Sequence, residues 1–531
     1  MPAFALSRNT PPRWKLWGVL IVVVTGACLA GTGCGQKAQS SKPAKAKATA
    51  NEAATDKKPK ITPSSNPKKP IESLPKPTEQ PVAAPPSDQS LPKSPPPAKR
   101  TEGALKDLVN QANAAEFRLP VVNETRTAAA GIRKLAGKHL TIYTDVPEAA
   151  AIEELPHVFD LAVPQWLEYF ELDEKTAADW MVVGYLMKDK ERFTGTGLLP
   201  DNVVVTADRG FQRGSEFWWY DQPSDFYRRE LMLHEGTHAF MARYLGGLGP
   251  PWYAEGMAEY LGTHKWDGGK LTLGYNPRTK EEAPYWGRVK IIKDEYAASR
   301  GMLLTDVFAY GPQAHLKNEP YGWSWAAAMF LDNHSLTQKA FRKLKEAAWD
   351  RSIDFSRNFL KELEADWPAI SEDWQLFIVN ADYGYDVARA AVVRKAEVAA
   401  LPAAGATVTV AADRGWQSSG FAVEPGKTYK ITVSGRYQVA KTPQSWPCEP
   451  GGITIHYHRG KPLGMLLAAI GDVKLERDTI TPLAKPTAVG TLAEITPTFA
   501  GTLYLSINEA AGSLADNEGT LSVKVERKDS P

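Results

Sequence analysis

His234, Glu235 and His238 stand together in the order His-Glu-Gly-Thr-His. Two imidazoles four residues apart share one face of a helix, and both can bind one ion, with ring nitrogens about 2.0–2.1 Å from it. Glu235 sits beside them, placed to take a proton from a water at that ion. This is the equipment of metal-assisted hydrolysis, with zinc as the metal. A zinc that does chemistry needs a third protein ligand and one open position. Pro251-Trp252-Tyr253-Ala254-Glu255-Gly256-Met257-Ala258-Glu259-Tyr260 follows closely. Glu255 and Glu259 are four apart and share a face if this stretch is helical. One could ligate the ion, and the other could hold a histidine ring by its far nitrogen.

The surrounding sequence supplies elements to carry these groups. Pro223-Ser224-Asp225 reads as a helix start, with a Ser cap and an acid in the first turn. Gly246, Gly247 and then Pro250 read as its stop. Between them Tyr227, Leu231, His234, His238, Met241 and Leu245 recur at helical spacing, which puts both histidines on the buried side. Upstream, Leu140–Thr144, Met181–Leu186 and Val203–Thr206 read as strands. Glu148–Phe170 reads as helical, with Pro164 expected to break or kink it. Phe217-Trp218-Trp219-Tyr220, just before the motif helix, is expected to be the edge strand along which an extended peptide would lie. Helices are expected near Trp323–Asn333, Thr337–Ala348, Phe355–Glu364 and Pro368–Ile378. The first candidate for a donor to a developing oxyanion is Tyr321, with Tyr310 and His334 as others.

This constellation resembles the gluzincin metallopeptidases, whose second helix carries a glutamate ligand in a Trp-(Leu/Tyr)-x-Glu-Gly context. The resemblance implies zinc ligands His234, His238 and Glu255, a general base Glu235, and Glu259 as the acid that holds a histidine. The gap from His238 to Glu255 is slightly shorter than in the best-known members. The Gly-x-Met-Glu-Asn motif of the gluzincin aminopeptidases is absent, which argues against an N-terminal exopeptidase. The implied fold over residues 103–400 is an α+β zincin-like metallopeptidase, with a small sheet and a mostly helical half.

Near Ala403-Ala404-Gly405 the texture changes to short alternating strands, among them Thr407–Val410, Tyr429–Val433, Ile453–Tyr457, Thr502–Ile507 and Leu521–Val525. Turn signals such as Pro425-Gly426 and Asn517-Glu518-Gly519 separate them, so residues 405–531 read as an all-β sandwich. Gly420–Gly435 and Tyr504–Gly519 resemble the early strands and the calcium loop of the PA-IL-type galactophilic bacterial lectins. That resemblance implies Ca²⁺ ligands at Glu509, Ser513, Asp516 and Asn517, with Glu at 509 where the family has Asp. The sugar-contacting loop of that family is not recognisable between Gln444 and Leu463.

The N-terminus reads as a targeting segment. Arg8, Arg13 and Lys15 precede the apolar run Leu16–Ala30, too short for a comfortable membrane span, and small residues follow up to Gly33-Cys34. Residues 1–34 resemble a bacterial lipoprotein signal with Cys34 as the acylated residue, although Gly31 stands where that family has Leu. Cys28 is a second candidate. Residues 35–102 read as a disordered tether: from Gln36 to Arg100 there is no aromatic residue, and about one in five is proline. As a coil it would span roughly 45 Å.

Of the 3 cysteines only Cys448 lies beyond the targeting segment, so no disulfide can form within the rest of the chain. With 63 basic against 61 acidic residues, nothing points to nucleic acid as a partner. Two functions follow. The first is an exported, lipid-anchored zinc peptidase acting on a peptide or protein substrate. The second is a non-catalytic zincin-like lipoprotein that binds glycan or cell-envelope material through its β-sandwich.

Overall fold

A computed structural model describes residues 117–206, 209–441, 444–471 and 479–528. Cys28, Cys34, the targeting segment and the tether lie outside the described residues, as do the first positions of the segment expected to start at residue 103.

The chain mixes helices and sheets. Five strands form the first sheet: β1 (Arg133–Ala136), β2 (Leu140–Thr144), β3 (Val182–Met187), β4 (Phe211–Arg213) and β5 (Glu216–Tyr220). Their order is β1-β2-β3-β5-β4, with β2, β3 and β5 mutually parallel and β1 and β4 antiparallel to their neighbours. Successive side chains point to opposite faces of a strand. Accordingly Leu140, Ile142, Val182, Leu186, Phe217 and Trp219 join the main core, while Tyr143, Val183, Tyr185, Met187 and Trp218 build a smaller core on the other face.

Helices cover the main-core face. They include α1 (Leu155–Tyr169), α2 (Asp225–Tyr244), α3 (Pro251–Gly262), α4 (Arg288–Ala297), α5 (Glu319–Asn333) and α6 (Trp367–Val379). Ser224 caps α2 by accepting from the Tyr227 N–H at 3.1 Å. Arg228 ties the helix entrance to Asp221 and Asp225, both at 2.6 Å. Every residue from Phe226 to Met241 is buried, so the middle of α2 is an interior helix, and only its ends, at Asp225 and Arg243, reach solvent.

Three expectations need correction. First, α1 runs through Pro164. That residue itself is exposed. Buried Ala162, Val163, Trp166 and Leu167 on either side offset a cost of about 3 kcal/mol. Second, Val203–Thr206 is not a strand. Val203 plugs the smaller core while Val204 is exposed, and only a single bridge, Thr206 to Arg209, forms there. Third, Phe217–Tyr220 is not the edge. Gly214, at φ +56°, turns the chain so that β4 pairs outside β5 and becomes the edge itself.

Two further sheets pack face to face. One has five strands, ordered Thr487–Ala488, Leu466–Gly471, Gly501–Ile507, Gln417–Val423, Ala399–Ala400. The other has four, ordered Leu492–Ile495, Thr428–Ser434, Thr520–Lys528, Ala406–Ala411. Alternate residues such as Tyr429, Ile431, Val433, Leu521, Val523 and Val525 fill the layer between them. Ile453–His458 belongs to neither sheet and pairs with Lys461–Leu463 as a separate hairpin. Cys448 is a buried free thiol. The β layers pack on α6. Arg394 bonds Glu372 and Asp373 of that helix at 2.7 and 2.8 Å. Thr481 donates its hydroxyl to Glu372 at 2.7 Å and its N–H to Gln375 at 2.8 Å.

Candidate metal centre

Helix α2 carries His234 and His238 on adjacent turns, and α3 crosses it to present Glu255. Their ligand atoms form a compact triangle. His234 Nε2 and His238 Nε2 are 3.1 Å apart. Glu255 Oε2 lies 3.3 Å from the first and 3.6 Å from the second. A tetrahedral ion with bonds of about 2.0–2.1 Å requires donor–donor edges of about 3.3–3.4 Å. The three edges scatter around that value.

The surroundings point the same way. Glu255 Oε2 is buried with no hydrogen-bond partner, although it faces two ring nitrogens. Burial opposes charge on His234, yet Glu255 and Glu259 pull its pKa well above the ordinary imidazole value. Burial likewise disfavours an ionised Glu255, but its two histidine contacts hold that carboxyl well below the usual carboxylate range. The donor set therefore draws positive charge to its centre, and a divalent cation fits it. Two nitrogens and one carboxylate oxygen suit zinc and leave a fourth position open.

Glu235 is buried on the next position of α2. Burial raises its pKa, against the pull of both imidazoles. Its carboxylate lies against the backbone just before edge strand β4, where any Cβ at Gly210 would collide with it. Gly256 has a similar role between helices: a Cβ there would come within 2.8 Å of the Ser324 carbonyl, so only glycine lets α3 lie this close to α5.

Glu259 faces the back of His234, with Oε1 3.4 Å from Nδ1. It forms no aligned hydrogen bond there, and Nδ1 of His234 remains unpartnered. Its partner is Arg288, at the first position of α4, which donates to Oε2 at 2.6 Å and to Oε1 at 2.8 Å. Burial lifts the Glu259 carboxyl, but Arg288 dominates and keeps it ionised. Glu230, one turn before His234, is fully buried with neither oxygen bonded, and burial beside Glu259 pushes it up to about 8. Glu230, His234 and Glu259 form a second group with ligand-bearing atoms within 4.8 Å of one another. Arg288 already supplies positive charge to this group through its two bonds to Glu259.

Tyr321 enters from the first turn of α5. Its ring centroid is 6.2 Å from that of His234. The guanidinium carbons of Arg288 and Arg209 lie 5.6 and 5.8 Å from the centroid of the same ring. Burial, then the charges of Glu255 and Glu235, raise its pKa far above the phenol value, so it stays a donor. The other two donor candidates are elsewhere. Tyr310 bonds Met302 Sδ, and His334 is buried against Asp373 at 2.8 Å. Arg288 and Gly210 escape the sequence reading because each reaches the site only through tertiary packing.

The proposed calcium residues come together only in part. Asn517 donates to Glu509 Oε2 at 2.8 Å and to the Ala412 carbonyl at 2.9 Å. Ser513 is exposed and Asp516 half-buried on the intervening 3₁₀ turn Ala511–Asp516. Among the described residues, both groups of three or more His, Cys, Asp or Glu ligand atoms lie at the His234 site.

No family model matches the chain, and no curated protein matches it. Some solved structures are similar to it. The "EclA N-terminal domain; PllA-like lectin" aligns with 23% of this chain and 95% of its own, at 21% identity and a TM-score of 0.18. A structure of IMPa from Pseudomonas aeruginosa in complex with an O-glycopeptide aligns with 48% of this chain and 25% of its own, at 14% identity and a TM-score of 0.14. IMPa metallopeptidase in complex with T-antigen aligns with 81% of this chain and 55% of its own, at 11% identity and a TM-score of 0.14. The chain thus spans a quarter to about half of those two IMPa chains. Likenesses at these scores say nothing about activity, which has to be read from the side chains.

Proposed function

We propose that this chain is an exported, membrane-tethered zinc metallopeptidase of gluzincin type. The observation that carries the reading is the triangle of His234, His238 and Glu255 ligand atoms, with edges of 3.1, 3.3 and 3.6 Å, beside a buried Glu235. A zinc ion held by those three residues would lower the pKa of a coordinated water toward about 7 and polarise a scissile carbonyl. The chain's own residues do the rest. Glu235, made more basic by burial, accepts the proton of the attacking water and passes it to the leaving amine. Tyr321 keeps its proton and donates to the oxygen that becomes negative. Edge strand β4, which ends the sheet next to Glu235, offers free backbone groups to an extended substrate. Glu259, held by Arg288, puts a negative charge 3.4 Å behind His234 Nδ1, which favours that ring as a ligand.

Export and anchoring rest on the sequence features before residue 35. Among the described residues no helix is long and apolar enough to cross a membrane. The function is tested by digesting a mixed peptide library with the purified chain and with Glu235→Gln. Cleavage by the wild type that is lost in the variant supports the reading. Cleavage that survives in the variant overturns the assigned mechanism. A chain that cleaves nothing yet is retained on envelope glycans supports the non-catalytic alternative.

A further inference from the structure

A cavity of about 780 Å³ opens where the end of α6 and the segment after it, residues 379–385, face the loop 508–514 and the hairpin 453–463. It shares no lining residue with the metal centre, and its size falls within the range of about 300–1,000 Å³ typical of small-molecule sites. Five cations line it, Arg278, Lys293, Arg459, Lys461 and Lys485, against two acids, Asp382 and Glu509. Lys293 and Asp382 neutralise each other at 3.1 Å. Among the described residues no carboxylate pairs with the other four cations. The hairpin bends at Arg459 to place one of them here: the residue has a φ of +49°, in the left-handed region, and its guanidinium donates to the Val379 carbonyl.

Four like charges around one cavity repel each other, and an anion relieves that repulsion. The same charge opposes a cation, although Glu509 and Ser513 line the cavity too. Tyr296 and Tyr383, both half-buried, add flat apolar faces of the kind on which sugar rings stack. We propose that this cavity binds an anionic oligosaccharide, one carrying carboxylate or sulfate groups, through Arg278, Lys461 and Lys485, with the two tyrosines against its rings. The site is independent of peptide hydrolysis.

Calorimetric titration of the full chain with a sulfated, uronate-containing tetrasaccharide, and with maltotetraose as a neutral probe of the same length, tests this. The charged probe should bind about tenfold tighter or better, and its affinity should fall as salt is raised. Arg278→Ala and Lys461→Ala should each weaken it about three- to tenfold with an unchanged melting temperature. Failure of the charged probe to bind, equal affinity for the neutral one, or wild-type affinity in both variants would overturn the proposal. Tighter binding of an oligoglutamate of equal charge, or binding of calcium alone that Lys461→Ala leaves unchanged, would also overturn it.

Discussion

The His234 centre and the loop from Asn508 to Asn517 both offer oxygen or nitrogen donors at spacings known from metal sites, but they are built differently. At the first, donors project from two buried helices, and three atoms meet with no partner other than each other. At the second, donors ride on a 3₁₀ turn, one of them is exposed, and the closest pair already satisfies itself through an Asn517–Glu509 hydrogen bond. Charge separates them too. Carboxylates surround the histidines, whereas cations that pair with no carboxylate among the described residues share a wall with Glu509. A ligand pattern becomes a cation site when rigid elements force donors together and local charge favours the ion. Spacing alone does not do this.

Glu235→Gln should cut hydrolysis by about 10²–10⁴ while bound zinc is retained, because it removes proton transfer and no ligand. Steady-state rates alongside metal analysis check this. Tyr321→Phe should lower kcat by about 10²–10³ with zinc content unchanged, if its hydroxyl serves the oxyanion. Arg288→Met leaves every ligand in place but frees Glu259 from its ion pair. Zinc affinity, read by competition with a chelator, should drop about 10–100-fold.

The smallest effect belongs to the other region. Burial raises Glu509 to about 7. Between its ordinary value of 4.5 and about 7, the folded chain holds a proton that the unfolded chain has lost. The stability this gives is complete below 4.5 and is lost as pH rises through about 7. Melting curves of Glu509→Gln should therefore decline less with pH over this window than those of the wild type, and hydrolysis should stay within about twofold, since Glu509 touches none of the residues assigned to the reaction. Calcium that raises the wild-type melting temperature at pH 8 but not that of the variant would erase the contrast between the regions.

Much of the metal centre was legible because helical periodicity fixes it. Ser224 and Gly246 bound α2, a four-residue step puts His234 above His238, and the same step relates Glu255 to Glu259. The sandwich strands were legible for a similar reason, through the period of two in Thr428–Ser434 and Thr520–Lys528. What could not be read were pairings across the chain. Nothing local in Arg288 says that it meets Glu259, 29 residues away. Nothing local in Phe211–Arg213 says that three residues, and not the longer apolar run after them, form the edge. The burial of Val203 looked like strand patterning because filling a core and joining a ladder call for the same residue types.

If His234, His238 and Glu255 hold a zinc ion, the purified protein carries it. Elemental analysis of the purified full chain beside His238→Ala tests it most directly. About one zinc per wild-type chain is expected, with loss in the variant. A folded wild-type chain that takes up no zinc even when zinc is supplied would contradict it.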